Sequence, residues 1–385
     1  MKNCWKNIVM MSLLCICSFV QSRAEEFPPS VEVHDDGSVT FRYCGEAKKV
    51  KLQADFLYVG EKNSDYTDHS KRLKMVKDST GCFTVTTKPI DPETYTYCFR
   101  IDGHRRPDPC NPDSAWQKLH VWSVFTVGGT PKTDLYLQPK RQGHVDKKLW
   151  YSSGEKKERR VDIYVPADYD SVGAPMDALY LLHGINGYEG SWIERGRAIQ
   201  IMENMVAQGR CKPMLIVMPD INYGAHADEA SLHTMWSSVV HYPRQRRARY
   251  VEDALIELVQ HIDTTYNVTG RNAFAGLSDG ARVAMNMAQW LPTEVYAVVL
   301  FTPIVPKSQT PKDSTAMHCQ LNGCTYYSLT VGKTDLFYKR GLKIHQRLLD
   351  ADIQHSYTEI DCGHYWRTSR ECLINFLDEI ADLQQ

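Results

Sequence analysis

The chain has 385 residues, more than one hydrophobic core usually serves, so at least two domains are expected. Apolar residues make up 43% and charged residues 24%, which fits a folded, soluble protein. The formal net charge of -1 supplies no field to attract nucleic acid or an acidic membrane surface, and neither is expected as a partner.

The first residues, MKNCWKNIVMMSLLCICSFVQSRAEE, place Lys2 and Lys6 before an apolar run from Ile8 to Val20, and Ser22 and Ala24 then supply small residues of the kind a signal peptidase reads. Residues 1–24 therefore predict a secretory signal peptide cleaved after Ala24, too short to be a membrane span, and a secreted or periplasmic product. Leu14 precedes Cys15 and Ile16 precedes Cys17, where a lipoprotein needs a small residue, so no lipid anchor is expected. Nine of the twelve cysteines lie beyond residue 24; the number is odd, so at least one is unpaired or pairs between chains. Their spacings, CQLNGC at 319–324 included, give no zinc pattern, and no metal is expected.

From residue 27 to 138 the chain reads as short alternating segments separated by turn residues. TYTYCFRID sets Tyr95, Tyr97, Phe99 and Ile101 on one face and Thr94, Thr96, Cys98 and Arg100 on the other, the period of a half-buried strand. SVTFRYCG, KKVKLQADF, CFTVTT and HVWSVFTVGG predict its neighbours, and an antiparallel β-sandwich is expected over 27–138.

The texture changes after PKTDLYLQPKRQGH, with a linker expected near 138–146 and a second domain over 142–385. Apolar runs such as ALYLL, MLIVM, FAGL, VYAVVL and YYSLTV alternate with helical patterns such as RYVEDALIELVQHIDTTY and FYKRGLKIHQRLLDAD. Near-continuous apolar strands alternating with helices predict an α/β domain, a mostly parallel sheet covered on both faces, with chemistry beyond the carboxyl ends of the strands.

FAGLSDGARVAM, residues 274–285, sets Ser278 between Gly276 and Gly280, after a predicted buried strand and before Ala281, Ala284 and Met287 at helical spacing. A strand that enters a helix through so sharp a turn needs residues without bulk on either side, and the turn lifts the serine out for attack. A serine hydroxyl needs a base, and the base an orienting carboxylate. Asp335 ends YYSLTVGKTD and His364 follows a glycine in HSYTEIDCGHYW, both after predicted strands, in the chain order Ser, Asp, His expected of an α/β hydrolase. An oxyanion hole needs two preorganised donors, here the backbone amides of Asp279 and of Ile185 in LYLLHGINGYEGSW, where Gly184 and Gly187 let the backbone approach a substrate. His183 reads as structural in the same turn.

LLHGINGYEGSWIERGRA, MLIVMPD, FAGLSDGARVAM, VGKTDLFY and CGHYWRTSRECLINFL resemble successive blocks of carbohydrate esterase family 1, the esterase D-like group with feruloyl and acetyl xylan esterases, over residues 142–380. The resemblance implies an α/β-hydrolase fold, Ser278 as nucleophile, His364 as base, Asp335 as orienting acid, and no cofactor. VEVHDDGSVTFRY, FRIDG, DPCNPD and SVFTVGG resemble the immunoglobulin-like module of carbohydrate-binding family 48 that often precedes such esterases, which implies a front domain able to bind glycan, with Trp116 and Trp122 as candidate sugar platforms. The elbow departs from the family in having Asp279 and Ala281 where Met and Gly are common. The Asp279 side chain is expected to face away near the first turn of the helix, and Asp279→Met to leave activity intact or raise it. The segment between Pro303 and Tyr326 is short for a lid and implies an open cleft.

The activity expected is that of a secreted serine esterase on plant polysaccharide esters, most directly a feruloyl esterase, with Gly184, Trp192, Trp236 and Trp366 as candidate substrate contacts and Tyr223 and Phe337 as further aromatic surface. An acetyl xylan esterase and a siderophore esterase use the same triad. A glycan-binding protein on an inherited esterase fold is the alternative from another class, disfavoured by the joint presence of Ser278, Asp335 and His364.

Overall fold

The computed structural model describes residues 28–58, 71–117, 120–154, 156–185, 187–222, 250–304 and 324–384. The expected signal peptide, Trp236, Tyr223 and most of the segment read as a short lid lie outside them. The chain divides into two compact units, the first reaching Val127 and the second running from Gly128 to the end, with Ala115–His120 also grouped in the second.

In the first unit, one antiparallel sheet runs in the order Val31–Val33, Val39–Tyr43, Phe83–Thr86, Val76–Lys77, and a second runs Leu73–Lys74, Val50–Ala54, Glu93–Ile101, His120–Val127, with His104–Arg106 folded back on Glu93–Ile101. Val39 and Phe41 from the first sheet and Leu52, Tyr97 and Phe99 from the second share one core, with the Phe41 and Tyr97 rings edge to face at 5.0 Å. The alternation expected in Glu93–Ile101 therefore decides which side chains fill this core. Its polar side is satisfied locally: Thr96 donates from its amide and its hydroxyl to Asp55 Oδ2 (2.9 and 2.8 Å), and Arg100 Nε donates to Gln53 Oε1 at 2.8 Å. Cys44 and Cys82 form a disulfide, while Cys98, Cys110, Cys211, Cys324, Cys362 and Cys372 are free thiols.

The first unit ends earlier than the expected boundary at 138. Leu135 and Tyr136, in the 3-10 turn Thr133–Tyr136, are buried in the core of the second unit, and Asn204 Nδ2 donates to the carbonyls of Leu135 and Leu137 (3.1 and 2.9 Å). The polar composition of 128–138 concealed two buried apolar side chains, with Thr133 buried beside them.

The second unit holds strands β1 (His144–Ser152), β2 (Lys157–Val165), β3 (Met176–Leu182), β4 (Leu215–Pro219), β5 (Val268–Leu277), β6 (Val295–Phe301), β7 (Tyr326–Gly332) and β8 (Ser356–Ile360) in one sheet of order β1-β2-β4-β3-β5-β6-β7-β8. β1, β2 and β4 pair antiparallel, and β3 to β8 are parallel throughout. The parallel strands are apolar on both faces because both are covered. Ala178, Tyr180 and Leu182 of β3 point into one core, and Leu179 and Leu181 into the other. Helices α1 (Ala198–Ala207) and α5 (Trp366–Ile380) pack with Leu179 and Leu181, while α2 (Tyr250–Thr265), α3 (Asp279–Trp290) and α4 (Tyr338–Asp350) pack on the opposite face. α2 shows the reason in its sequence: Val251, Leu255, Leu258, Val259 and Ile262 recur at helical spacing and all are buried. This is an α/β-hydrolase-like domain, and its parallel strands end together, with Leu182 level with Gly276, Gly276 with Leu300, and Gly332 with Ile360. None of the helices among the described residues is long and apolar enough to cross a membrane.

The Cys44–Cys82 bridge closes a loop with a sequence separation of 38, so its loss frees a large denatured ensemble. A Cys44→Ser/Cys82→Ser double variant is expected to lower the unfolding free energy of the first unit by about 2–4 kcal/mol, read as a lower urea midpoint.

Candidate active site

Ser278 follows the last residue of β5 and caps α3, with φ 60° and ψ -111°. A non-glycine residue in such a conformation costs on the order of 1–3 kcal/mol and persists only where its surroundings impose it. They do so here. A Cβ on Gly276 would lie 2.2 Å from the carbonyl of Gly280, and a Cβ on Gly280 would lie 2.4 Å from the carbonyl oxygen of Leu182. Glycine at both positions lets α3 start against the ends of β3 and β5. The Ser278 amide donates to Phe301 O (3.0 Å) and its carbonyl accepts from Ile304 N (3.1 Å), which fixes the turn from the β6 side.

Asp335 lies three residues beyond β7 and His364 four beyond β8, and the two loops interlock. Lys333 N donates to Ile360 O (2.9 Å), Thr334 N donates to Cys362 O (3.2 Å), and a Cβ on Gly332 would strike Cys362 O at 2.3 Å. His364 Nδ1 lies 2.7 Å from Asp335 Oδ2, and both residues are buried. Asp335 Oδ1 accepts the Phe337 amide at 2.6 Å, so the carboxylate is held on both oxygens. With Nδ1–H donated to Asp335, the imidazole keeps its lone pair on Nε2, the state a general base requires. The Phe337 ring packs edge to face against the imidazole at 5.2 Å.

The loop after β3 approaches the serine closely: a Cβ on Gly184 would lie 3.2 Å from Ser278 Cβ and 3.3 Å from Leu277 O. His183 is fully buried, with Nδ1 2.8 Å from Gly184 O while Nε2 accepts the Ile221 amide at 3.0 Å. Those partners define a neutral imidazole with the proton on Nδ1, so the 3.3 Å approach of Nε2 to Asp220 is a contact without a shared proton. Glu189, further along the loop, pairs with Arg160 on β2 at 2.8 Å. Burial, and then the charge of Asp220, pushes the Glu189 carboxyl up to about 7 against the opposing pull of Arg160.

Asp279 lies in the first turn of α3, as expected, and there it has a partner. Its carboxylate accepts Arg282 Nε at 2.9 Å, and Arg282 Nη1 donates to Glu252 Oε1 of α2 at 3.0 Å, with all three residues buried. Asn286 Nδ2 also donates to Glu252 Oε1 (2.8 Å). The carboxylate is thus a counter-ion for a buried guanidinium rather than a free first-turn charge. A methionine there would leave Arg282 with Glu252 as its remaining carboxylate partner, a cost in stability that the family pattern does not reveal.

Trp192 corrects one expectation. It is 1% exposed and packs between Phe301 (5.8 Å) and Trp366 (5.3 Å), which makes it core and not a substrate contact. Trp366 is half-buried at the start of α5, two residues beyond His364, with the Arg195 guanidinium 5.6 Å from its ring. Trp122 is 4% exposed beneath the Arg105 guanidinium (4.8 Å) and presents no open face for a sugar, whereas Trp116 is half-buried. Arg282, Glu252, Arg160, Glu189 and Asp220 were not singled out from the sequence; the paired charges of KERRVDIYV, unusual in a strand, were the one signal. No cluster of side chains suited to a metal occurs among the described residues.

The sheet, with Ser278, Asp335 and His364 beyond its strand ends, defines an α/β-hydrolase-like domain. The chain belongs to the family described as "Putative esterase", whose model it matches over residues 152–379. It is 28% identical over 211 residues to an endo-1,4-beta-xylanase/feruloyl esterase of Xylanibacter ruminicola, a match that takes in 53% of this chain and 28% of that relative. Among solved structures, a ferulic acid esterase of Anaeromyces mucronatus superposes with a TM-score of 0.53 at 20% identity, covering 65% of this chain and 95% of the other. The enterobactin esterase of Shigella flexneri superposes with a TM-score of 0.56 at 16% identity, covering 95% and 98%.

Two outcomes follow from the buried charges. Asp279→Met is expected to cost about 3 kcal/mol in denaturant unfolding, because it removes one of the two carboxylates that pair with the buried Arg282 guanidinium. The Glu189 carboxyl has a folded pKa of about 7, above its ordinary value of 4.5, so the folded protein holds this proton more tightly than the unfolded chain. Its contribution to stability is full below about pH 4.5 and is lost as pH rises through 7. Thermal unfolding at pH 5 and pH 8 is expected to show Glu189→Gln gaining Tm relative to wild type at the higher pH.

Proposed function

We propose that the protein hydrolyses hydroxycinnamoyl esters of plant polysaccharide through a Ser278–His364–Asp335 triad and an acyl-enzyme. The observation that carries the triad is the 2.7 Å contact between His364 Nδ1 and Asp335 Oδ2 at the same strand ends as the strained Ser278 turn. His364 Nε2 takes the Ser278 proton as Oγ attacks the ester carbonyl, and Asp335 holds the imidazolium. The amides of Ile185 and Asp279 receive the oxyanion. His364 then returns the proton to the departing sugar alcohol, and water repeats the sequence to free the acid.

Two features favour an aromatic acyl group. The xylanase/feruloyl esterase of Xylanibacter ruminicola is related in sequence over 211 residues. Beside His364, Phe337 and Trp366 are half-buried and Leu336 is 58% exposed, an apolar rim suited to a planar ring. The first unit fits an immunoglobulin-like module of the carbohydrate-binding type, and the leading segment fits export to the periplasm or beyond. A siderophore esterase is the second reading, favoured by the enterobactin esterase covering 95% of this chain, front unit included.

Ser278→Ala is expected to lower kcat for a model aryl ester by about 10⁴-fold or more. Methyl ferulate, acetylated xylan and a catecholate trilactone, assayed side by side, separate the substrate classes. Turnover of the trilactone alone would overturn the feruloyl reading, and wild-type turnover in Ser278→Ala would overturn the triad.

A further inference from the structure

Behind the glycine-bearing loop after β3 lies a set of buried and half-buried polar side chains that the acyl-transfer steps do not use: Arg159, His183, Glu189 and Asp220, which are buried, and Arg160 and Asn222, which are half-buried. We infer that they form a positioning frame for the oxyanion hole, holding the loop that carries Ile185 at fixed depth against Ser278; the inference rests on the serine esterase reading above.

The loop is bonded from outside at its start, middle and end. At the start, His183 bridges the Gly184 carbonyl (2.8 Å) to the Ile221 amide beyond β4 (3.0 Å). In the middle, Asn222 Nδ2 donates to the Gly187 carbonyl at 2.7 Å. At the end, Glu189 pairs with Arg160 on β2 at 2.8 Å. These three attachments bracket Ile185 along the chain.

The far side of the frame is tied down in turn. Arg159 Nη2 donates to the carbonyls of Asp220 (2.7 Å) and Asn222 (3.0 Å), the Asp220 carboxylate accepts the Asn222 amide (2.9 Å), and Arg160 Nη2 stands 3.6 Å from Asp220 Oδ2. Residues 220–222 therefore follow the edge of the sheet rather than moving as a free loop. Gly187 packs as glycine must: a Cβ there would lie 2.7 Å from His183 Cβ.

A loop with glycines at 184 and 187 has little rigidity of its own, and an amide that is to meet a developing charge must be aimed before the reaction begins. Buried ion pairs contribute little net stability, and their best-attested use is to fix geometry. A side chain lost from the frame should therefore weaken binding of the tetrahedral state while leaving ground-state ester binding almost untouched.

The test uses the full chain with Asn222→Ala, Glu189→Gln and Arg160→Lys, alongside wild type and Ser278→Ala. For a model aryl ester we expect kcat to fall by about 10–100-fold in Asn222→Ala and Glu189→Gln, with KM within about twofold, and Arg160→Lys to be intermediate. The Ki of an alkyl boronic acid, which becomes tetrahedral on the serine, should rise by a similar factor. Asn222→Ala removes one half-buried amide, so it keeps the test open if a charge variant fails to fold. Loss of activity only in proportion to the folded fraction, judged by circular dichroism and Tm, overturns the inference. So does wild-type kcat and boronate affinity in folded Asn222→Ala and Glu189→Gln. Wild-type turnover in Ser278→Ala instead sinks the underlying serine reading, which is a separate result.

Discussion

The second unit depends on a steric constraint: α3 begins so close to the ends of β3 and β5 that neither Gly276 nor Gly280 has room for a Cβ. That crowding forces the turn between strand and helix, and the turn forces Ser278 into a backbone conformation that serine avoids. The strain is offset by the packing of Ala281, Ala284 and Ala288, small residues that let α3 lie flat on the sheet. Every other part of the site is arranged around the point where this turn ends. The close approach of Gly184 to Ser278 follows because β3 and β5 are neighbours ending level with each other.

Two sets of buried charge flank the turn. On the helix side, Asp279, Arg282 and Glu252 tie the first turn of α3 to α2, and on the loop side Arg160, Glu189 and Asp220 tie the loop after β3 to β2 and β4. Buried ion pairs of this kind rarely add net stability, since desolvation consumes the Coulombic gain. The high Glu189 pKa is that cost made visible: burial outweighs the attraction of Arg160. What such pairs do supply is a single arrangement. A guanidinium with a carboxylate on each side has few other places to go, so α2, α3 and the turn between β5 and α3 share one register.

Much of this was legible in the chain. The glycines around Ser278 mark a local backbone requirement, and the alternation of apolar runs with helical spacing marks the parallel sheet and its two covers. Asp335 and His364 were locatable because each follows a strand within a few residues. The charge networks were not, because their partners are far apart: 61 residues separate Arg159 from Asp220, and 30 separate Glu252 from Arg282. Spacing along the chain carries no information about such pairs. Trp192 misled for a related reason. Its neighbourhood, GYEGSWIERG, looks like an exposed loop, yet it opens a short helix that places the indole against Phe301 and Trp366 in the core. A large aromatic in a glycine-rich stretch is as well suited to filling a gap beneath a loop as to meeting a ligand.

The triad geometry is indifferent to the acyl group, since Ser, His and Asp act only on the carbonyl and the two oxygens around it. Selection among esters has to come from side chains that flank those atoms. With Trp192 committed to the core, the exposed or half-buried apolar side chains among the described residues that follow Asp335 and His364 most closely include Leu336, Phe337 and Trp366. Each of these follows Asp335 or His364 by one or two residues, so in the proposed reading the groups that would meet the acyl ring sit on the same two interlocked loops as the acid and the base. Asp335 accepts the Phe337 amide, and Phe337 in turn leans on the imidazole, so the acid and the aromatic rim are set by one turn of chain. In the proposed reading, a change of ester preference made at Phe337 would therefore also alter the packing on His364. Trp366 would be the freer position in that reading, because its ring is braced by Trp192 and Arg195.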